Sequence, residues 1–410
     1  MSSDNFKGII ELGTVNVKCV IFKINEDNTS EILSFSNLVS NGIHNGTIVN
    51  LSKASEVIRS CIGDAEKKAG VSLKKINVVL EQPEFLCTKF SKNKKIDGSK
   101  IHKDDIDFLL KEGKKQVTLN DENQTIIHIF NHNYVVDGKV FIEEPIGVYA
   151  NYLNHQMTFI TMPTNNIKNI NQVFANCDIE VERLISCIFA VGAKILNSNQ
   201  IKFGSTIIDM GFEKTSLGIF KDLTLINSVT FPIGSNHITK DIAKVCSLSL
   251  EESESIKNKI DFSFLNNKDI FDKNDNLKST FFTNSSYRKI SKSLILNIVK
   301  SRIEEILQII KKQIIISGIN ITSEYNIILV GGGSNLLNVD RYYSTFFDSH
   351  IKKINKISKN EDSSVLDEKF ISCLGAIKII KDGWETEAIP EPIKSNSQKN
   401  SIFSKIFGSW

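Results

Sequence analysis

Two distant stretches of the chain read almost alike. Ile9-Ile10-Glu11-Leu12-Gly13 and Ile207-Ile208-Asp209-Met210-Gly211 each end an apolar run with an acid, one apolar residue and a glycine. A second strand-like run, a polar turn and a third run follow both. In the first copy these are Val17–Ile24, Asn25–Asn28 and Glu31–Leu38. In the second they are Thr215–Phe220, Lys221-Asp222 and Leu223–Phe231. Each copy then leads to a helix. In the first, Ala54, Val57, Ile58, Cys61, Ile62, Ala65 and Ala69 recur at helical spacing, with Ser52 placed to cap the start and Gly70 to stop the end. In the second, Gly234 leads into Ile238–Val245. Chance supplies a five-residue echo easily, but not the same hairpin after both copies, so the pattern predicts an internal duplication of an α/β unit.

The rest of the chain is arranged around those copies. Ile76–Leu80 reads as a further strand. Residues 82–160 break the rhythm and read as a small inserted domain. Within it, Asp104–Gln116 is a predicted helix, with Asp104, Asp105 and Asp107 in a solvated first turn. Thr125–Phe130, Val135–Val140 and Met157–Thr161 are predicted strands. Residues 164–175 and 186–197 read as helices flanking a strand near Asp178–Arg183. Residues 247–290 are polar and irregular. A long helix follows, with Leu294, Ile298, Ile303, Ile306, Leu307 and Ile310 on its apolar side. Ile327–Val330 is a buried strand ending in Gly331-Gly332-Gly333, and Ser334 is placed to start the next helix.

Several functions are excluded early. Lys and Arg number 50 against 47 Asp and Glu, a net charge of +3 that argues against wrapping nucleic acid. The seven cysteines form no CxxC pair and are odd in number, which reads as reduced thiols. No apolar run approaches the ~20 residues that cross a bilayer, and the first residues show no secretory signal. Walker A, GxGxxG and GxSxG patterns are all missing, which disfavours P-loop, Rossmann and nucleophile-elbow chemistry. His128 and His132 are four apart on an alternating segment, so they lack the geometry of helical zinc ligands.

Glycine directly after a strand lets backbone N–H groups approach an anion with no Cβ in the way. Two such turns on duplicated halves suit a polyphosphate. Gly13, Thr14, Gly211 and Thr215 are the candidate phosphate contacts, and Lys18 is placed to reach a β- or γ-phosphate. Glu11 and Asp209 are the candidate carboxylates for Mg²⁺, through its water shell. Gly331, Gly332 and Gly333 would admit a ribose and α-phosphate.

These residues together resemble the actin/Hsp70/sugar-kinase superfamily, and within it the FtsA family of bacterial cell-division proteins. Glu11-Leu12-Gly13-Thr14 is similar to the family's first phosphate motif. Pro232-Ile233-Gly234-Ser235, running on to Asp241-Ile242-Ala243, resembles its Pro-x-Gly-Gly…Asp-Ile-Ala region. Glu254-Ser255-Ile256-Lys257 resembles its nucleotide-proximal Glu-x-Ile-Lys, which adds Gly234 and Lys257 to the nucleotide-binding candidates. Arg288–Ser291 and Arg302–Ile306 resemble its long-helix region, Leu329–Ser334 its adenosine motif, and Glu144-Pro145-Ile146-Gly147 a motif of its distinctive insert.

The resemblance implies an actin-like fold, two duplicated halves around a nucleotide cleft. It implies subdomain 1A over 1–81, inserted subdomain 1C over 82–162, and a return to 1A over 163–202. Subdomain 2A then spans 203–235, 2B 236–300, 2A again 301–345 and 1A again 346–383, followed by a linker over 384–399 and a terminal helix over 400–410. One departure stands out. The family's Asp-x-Gly-Gly-Gly-Thr becomes Asp209-Met210-Gly211-Phe212-Glu213-Lys214-Thr215, and a Ser235 stands where a second glycine is usual. Side chains at a positive-φ turn are strained, and Glu213 is expected to repel a phosphate, so ATP is expected with weakened affinity and at most weak hydrolysis.

The tail reopens the membrane question. At about 100° per residue, Ile402, Phe403, Ile406, Phe407 and Trp410 share an arc of roughly 140°, with Ser401, Ser404, Lys405, Gly408 and Ser409 outside it. That pattern predicts an amphipathic helix seated at a lipid interface. Beyond Glu391 the chain has no acid and only Lys394, Lys399 and Lys405 as bases, so the whole net charge of +3 lies there. The resemblance implies an adaptor that tethers the tubulin-like FtsZ to the inner membrane at the septum, self-associates into filaments and recruits later divisome proteins. Arg288 and Lys292 are the candidate contacts for the FtsZ C-terminal peptide, and Arg302 the candidate for self-association. The competing readings are an ATP-dependent sugar or acyl kinase and a pilus-assembly adaptor of the same fold.

Overall fold

In a computed structural model, residues 6–265, 267–322, 325–354 and 369–382 are described. They fall into two compact units, 6–204 with 220–229 and 369–382, and 205–219 with 230–354. The predicted linker and terminal helix, Ile402 to Trp410 included, lie outside the described residues, as do residues 355–368.

The first unit opens with β1 (Phe6–Leu12), β2 (Asn16–Ile24) and β3 (Ser30–Val39). The short hairpin β4 (Ile43–His44) and β5 (Thr47–Ile48) precedes α1 (Leu51–Ala69) and β6 (Lys75–Leu80). Helix α1 is capped by the Asn50 carboxamide, which accepts from the Lys53 N–H, and not by Ser52. Gly70 ends it in the left-handed conformation that only glycine adopts without cost.

The insert follows: β7 (Leu86–Lys100), α2 (Lys103–Asn120), β8 (Gln124–Val136), β9 (Lys139–Phe141) and β10 (Tyr149–Pro163). Its sheet runs β7-β10-β8-β9. One face is buried on α2 through Leu110, Val117, Met157 and Phe159, and through Ile106, Leu109, Tyr134 and Leu153. Asp105 both accepts from the His102 N–H that opens α2 and pairs with Lys94, so it is engaged and largely covered, not solvated as expected. The expected strand Val135–Val140 is two strands, because Asp137 and Gly138 both turn with positive φ. Strand β7 was not expected; it is a lysine-studded edge strand, and such charges blunt alternation while protecting the edge from pairing.

The chain returns through α3 (Thr164–Ala175), β11 (Glu180–Ser186), α4 (Cys187–Ile195) and α5 (Ser198–Phe203). Next in the chain come β12 (Ser205–Met210), β13 (Thr215–Lys221) and β14 (Thr224–Phe231), of which residues 220–229 fall in the first unit. Then, in the second unit, come α6 (Ser235–Cys246), α7 (Leu250–Lys259), α8 (Lys292–Ile316), β15 (Asn326–Val330), α9 (Val339–Phe347) and β16 (Ile351–Lys353). Helix α10 (Ile371–Lys381) is part of the first unit.

The duplication is visible in the sheets. The first has order β11-β6-β1-β2-β3 and the second β16-β15-β12-β13-β14. In both, the repeat's first strand has a hairpin partner on one side and a parallel strand on the other, β1 with β6 and β12 with β15. Parallel strands need a crossover of a dozen residues or more, which α1 and the α6-to-α8 region supply. Three local expectations fail. Ser334 lies in a short 3-10 turn, and the next helix starts only at Val339. Residues 250–259 form a helix inside the stretch read as irregular. Along α8 the buried side is Ile295, Val299, Ile303, Ile306, Leu307, Ile310 and Ile314, leaving Leu294 and Ile298 on another face. None of the seven cysteines is in a disulfide, as their spacing implied.

Candidate nucleotide and partner sites

The two glycine turns share one backbone bond. The Gly13 N–H donates to the Asn16 carbonyl at 3.1 Å, and the Gly211 N–H donates to the Lys214 carbonyl at 2.9 Å. A Cβ at Gly13 would lie 2.5 Å from the Asn16 carbonyl oxygen, and one at Gly211 would lie 2.9 Å from that of Lys214. Both glycines are therefore required by the turn itself, and both of their N–H groups are already engaged.

Around the first turn the charged groups form a closed set. Glu11 and Lys18 face each other across β1 and β2, with Lys18 Nζ 2.9 Å from Glu11 Oε2. The Ser372 hydroxyl, from α10, donates to the same oxygen at 2.5 Å. Burial disfavours the ammonium's charge, but the Glu11 carboxylate outweighs it and raises the Lys18 pKa above its ordinary value. Glu11 therefore lies within the strand, not on the turn. The Thr14 hydroxyl oxygen accepts from the Asn45 N–H, which ties the turn to the β4–β5 hairpin.

The second turn is held to α6. Ser235 and Asn236 donate their N–H groups to the Gly211 and Phe212 carbonyls at 3.0 and 2.8 Å. At that approach a Cβ on Gly234 would meet three backbone atoms at 2.5–2.7 Å, so Gly234 serves close packing. The Thr215 side chain is fully buried and its hydroxyl donates to the Ile233 carbonyl at 2.7 Å. The expected strain is not found, since Phe212, Glu213 and Lys214 all avoid positive φ. Nor does Glu213 stand as a bare charge. Its carboxylate accepts from Asn236 Nδ2 at 2.7 Å and from Lys240 Nζ at 3.0 and 3.1 Å. Burial opposes its ionisation, yet those donors hold its pKa below the usual carboxylate range. The sequence showed Glu213 as a departure but not where it would turn; Lys240, one helical turn beyond Asn236 on α6, was the signal.

The triple glycine divides into packing and opening. A Cβ at Gly331, where φ is 85°, would lie 2.2 Å from Asp209 Oδ1, and one at Gly333 would lie 2.5 Å from Met210 Cγ. Around Gly332 there is nothing within 4 Å. Asp209 and the three glycines are thus brought together at the end of β12, and Gly332 alone presents open backbone. Lys257 is buried, with its ammonium 2.7 Å from Glu254 Oε2 and 3.4 Å from the Ser235 carbonyl. Among the described residues no group of three or more His, Cys, Asp or Glu side chains forms a metal cage.

The partner candidates are engaged within the second unit. Arg288 donates from Nη2 to the Cys246 and Ser247 carbonyls, closing the end of α6, where a cation is favoured. Lys292 pairs with Asp275 at 3.2 Å. Arg302 forks onto Asp241 of α6 at 2.5 and 3.0 Å and also reaches Glu305. Between α6 and α8, Arg302 with Asp241 and Glu305 edges a groove of about 380 Å³, also lined by Val245, Leu294, Asn297, Ile298 and Ser301; Arg288 and Lys292 are not part of its lining. Val245 is 53% exposed and Leu294 41%, so the apolar floor is unused by the core. Sequence periodicity had assigned Leu294 and Ile298 to the core; the i, i+4 apolar pair on a second face was the signal for the groove. No helix among the described residues is long and apolar enough to cross a membrane.

The chain is similar to known proteins. The family model described as cell division protein FtsA matches residues 206–375, and the model of the SHS2 domain inserted in FtsA matches 86–161. The FtsA of Agrobacterium fabrum is 25% identical over 338 residues, covering 80% of this chain and 76% of that protein. The FtsA of Bacillus subtilis is 23% identical over 326 residues, covering 78% and 72%. Among solved structures, the PilM–PilN type IV pilus biogenesis complex superposes with a TM-score of 0.63 at 11% identity, covering 92% of this chain and 98% of that one. The fold is therefore actin-like, with an inserted SHS2 domain.

Proposed function

The chain belongs to the FtsA family of cell-division proteins, and from that premise we propose that it tethers FtsZ to the cytoplasmic face of the inner membrane at the division septum. The observation that carries the reading is the α6–α8 groove. Its floor of Val245, Leu294 and Ile298 is apolar, with Val245 and Leu294 exposed and Ile298 half-buried, and is edged by Asn297, Ser301 and Arg302. An amphipathic peptide, here the FtsZ C-terminal tail, would lay apolar anchors on that floor and polar groups along the edge. Arg302 then serves the groove more directly than self-association, whereas Arg288 and Lys292 lie outside its lining. The membrane end is the arc of Ile402, Phe403, Ile406, Phe407 and Trp410 beside Lys405. Burying five such side chains contributes on the order of 7–15 kcal/mol, and ordering eleven residues at ~1 kcal/mol or more each removes most of it. One tail binds weakly, and several on a filament bind by avidity.

The nucleotide belongs to the same proposal. Gly332 would offer open backbone to an adenosine group, and Asp209 would face Mg²⁺ through its water shell. Thr14, Lys18 and Gly13 would line the first phosphate turn, and recruitment of later divisome proteins would follow from filament assembly. Titrating the FtsZ C-terminal peptide against the full chain tests the groove. Ile298→Asp should weaken binding at least about tenfold, the loss of one apolar anchor plus a buried charge; an unchanged affinity overturns the docking site. Liposome co-sedimentation of the full and 1–399 chains tests the tail, and equal pelleting removes it.

A further inference from the structure

Helix α6 carries two opposite charges side by side, and each is committed to a different neighbour. Lys240 reaches back to Glu213 on the second glycine turn, and Asp241 reaches across to Arg302 on α8. Around the Glu213 carboxylate are gathered two donors, the Lys240 ammonium and the Asn236 amide, both from the first turns of a twelve-residue helix. His237 Nδ1, 3.9 Å away, accepts from the Gly234 N–H and donates nothing to it. That is the donor set a bound anion would use at a helix N-terminus, where the helix dipole also favours negative charge. Here the anion is supplied by the chain. The Glu213 side chain is only 10% exposed, so it is built into the turn and is not a surface ion pair.

We propose that Glu213 is an internal anion that holds the start of α6 against the second glycine turn, and thereby keeps the α6 wall of the groove in register without a bound phosphate. The chain of contacts is continuous. Ser235 and Asn236 bond the turn's carbonyls, Glu213 bonds Asn236 and Lys240, and the next residue, Asp241, receives both arms of Arg302. Removing the carboxylate leaves the Lys240 ammonium and the Asn236 amide without their acceptor at the end of a helix that forms half of the groove. An external anion should then substitute for it. Glu213 is a positioning residue, and its effect on the groove passes through α6.

The test is hydrogen–deuterium exchange of residues 235–246 in the full chain, with and without inorganic phosphate and, separately, Mg-ATP. In the parent protein, exchange over α6 should be indifferent to inorganic phosphate. In Glu213→Gly it should speed up about tenfold, the effect of losing charge-assisted hydrogen bonds, and inorganic phosphate should slow it again. Lys240→Met should speed exchange as well, but with no recovery, because the cation that would receive the anion is gone. Strands 86–163 serve as the internal standard of folding. The proposal is overturned if Glu213→Gly exchanges like the parent, if phosphate slows the parent as much as the variant, or if phosphate restores Lys240→Met. Recovery of Glu213→Gly by phosphate but not by Mg-ATP supports the internal anion and counts against the nucleotide reading, so the two fail separately.

Discussion

The turns Gly13–Asn16 and Gly211–Lys214 share a backbone hydrogen bond and differ in the charged groups around it. At the first, a cation and a carboxylate sit opposite each other on neighbouring strands, and a serine from α10 closes the set. At the second, the charge leaves the turn altogether, and Glu213 is spent on α6. The fourth strands diverge too. After β15 come Gly331-Gly332-Gly333, whereas after β6 comes Glu81, buried and accepting from the Ser186 hydroxyl at 2.8 Å and the Ile188 N–H at 3.0 Å. Duplication thus keeps what the backbone requires, a glycine where a Cβ would strike a carbonyl, and releases the side chains. The first turn is anchored to the chain's last described helix and the second to the helix of the groove.

The largest effect should come from breaking the second half where it has no counterpart. Gly331→Ala puts a Cβ 2.2 Å from Asp209 at a φ of 85°. The left-handed conformation costs ~1–2 kcal/mol and the overpacking another ~1–3. Urea unfolding should show a loss of about 3 kcal/mol or more; a loss below 1 would mean that the end of β12 yields, and that Asp209 is not fixed by this contact.

Charge substitutions at the two turns should fail at opposite ends of the pH scale. Lys18 has a raised folded pKa, so its contribution is complete below the unfolded lysine value of about 10.4 and is lost as pH rises through the folded one. Glu213 has a depressed folded pKa, so its contribution is present above the unfolded value of about 4.3 and is lost as pH falls through the folded one. Near neutrality Glu11→Gln should cost about 2 kcal/mol by leaving a half-buried ammonium beside a neutral amide, and Ser372→Ala about 1. The stability gap between parent and Lys18→Met should narrow as pH rises through the alkaline range, and that between parent and Glu213→Gln as pH falls through the acid range. Gaps that narrow together would erase the contrast between the turns.

That contrast was half legible in the amino-acid sequence. The echo of Ile-Ile-acid-x-Gly disclosed two sheets of one topology, because strand, glycine and hairpin are local and periodic. Glu11 and Lys18 could be seen individually, but not their pairing, which depends on cross-strand register. Ser372 was invisible, since its partner lies at the other end of the chain. Glu213 was conspicuous yet misread, because a carboxylate in a phosphate motif looks repulsive until Lys240 and Asn236 are placed beside it. Leu294 and Ile298 were assigned to the core because a long helix has two apolar stripes, and periodicity alone does not say which one is buried.

The smallest change is the sharpest test of what the second half kept. Gly332 has negative φ and nothing within 4 Å of the place where its Cβ would go, unlike Gly331 and Gly333 on either side. Packing gives no reason for a glycine there, so Gly332→Ala should leave stability within about 0.5 kcal/mol of the parent. If the open backbone at Gly332 receives a nucleotide, the added methyl group should lower ATP affinity severalfold in a titration while urea unfolding stays unchanged. Equal affinity in both proteins would move the adenosine contact away from this turn and leave the triple glycine explained by the packing of Gly331 and Gly333 on β12. A loss of stability would mean instead that the turn closes more tightly than its geometry shows, and that the two halves of the duplication are equally filled.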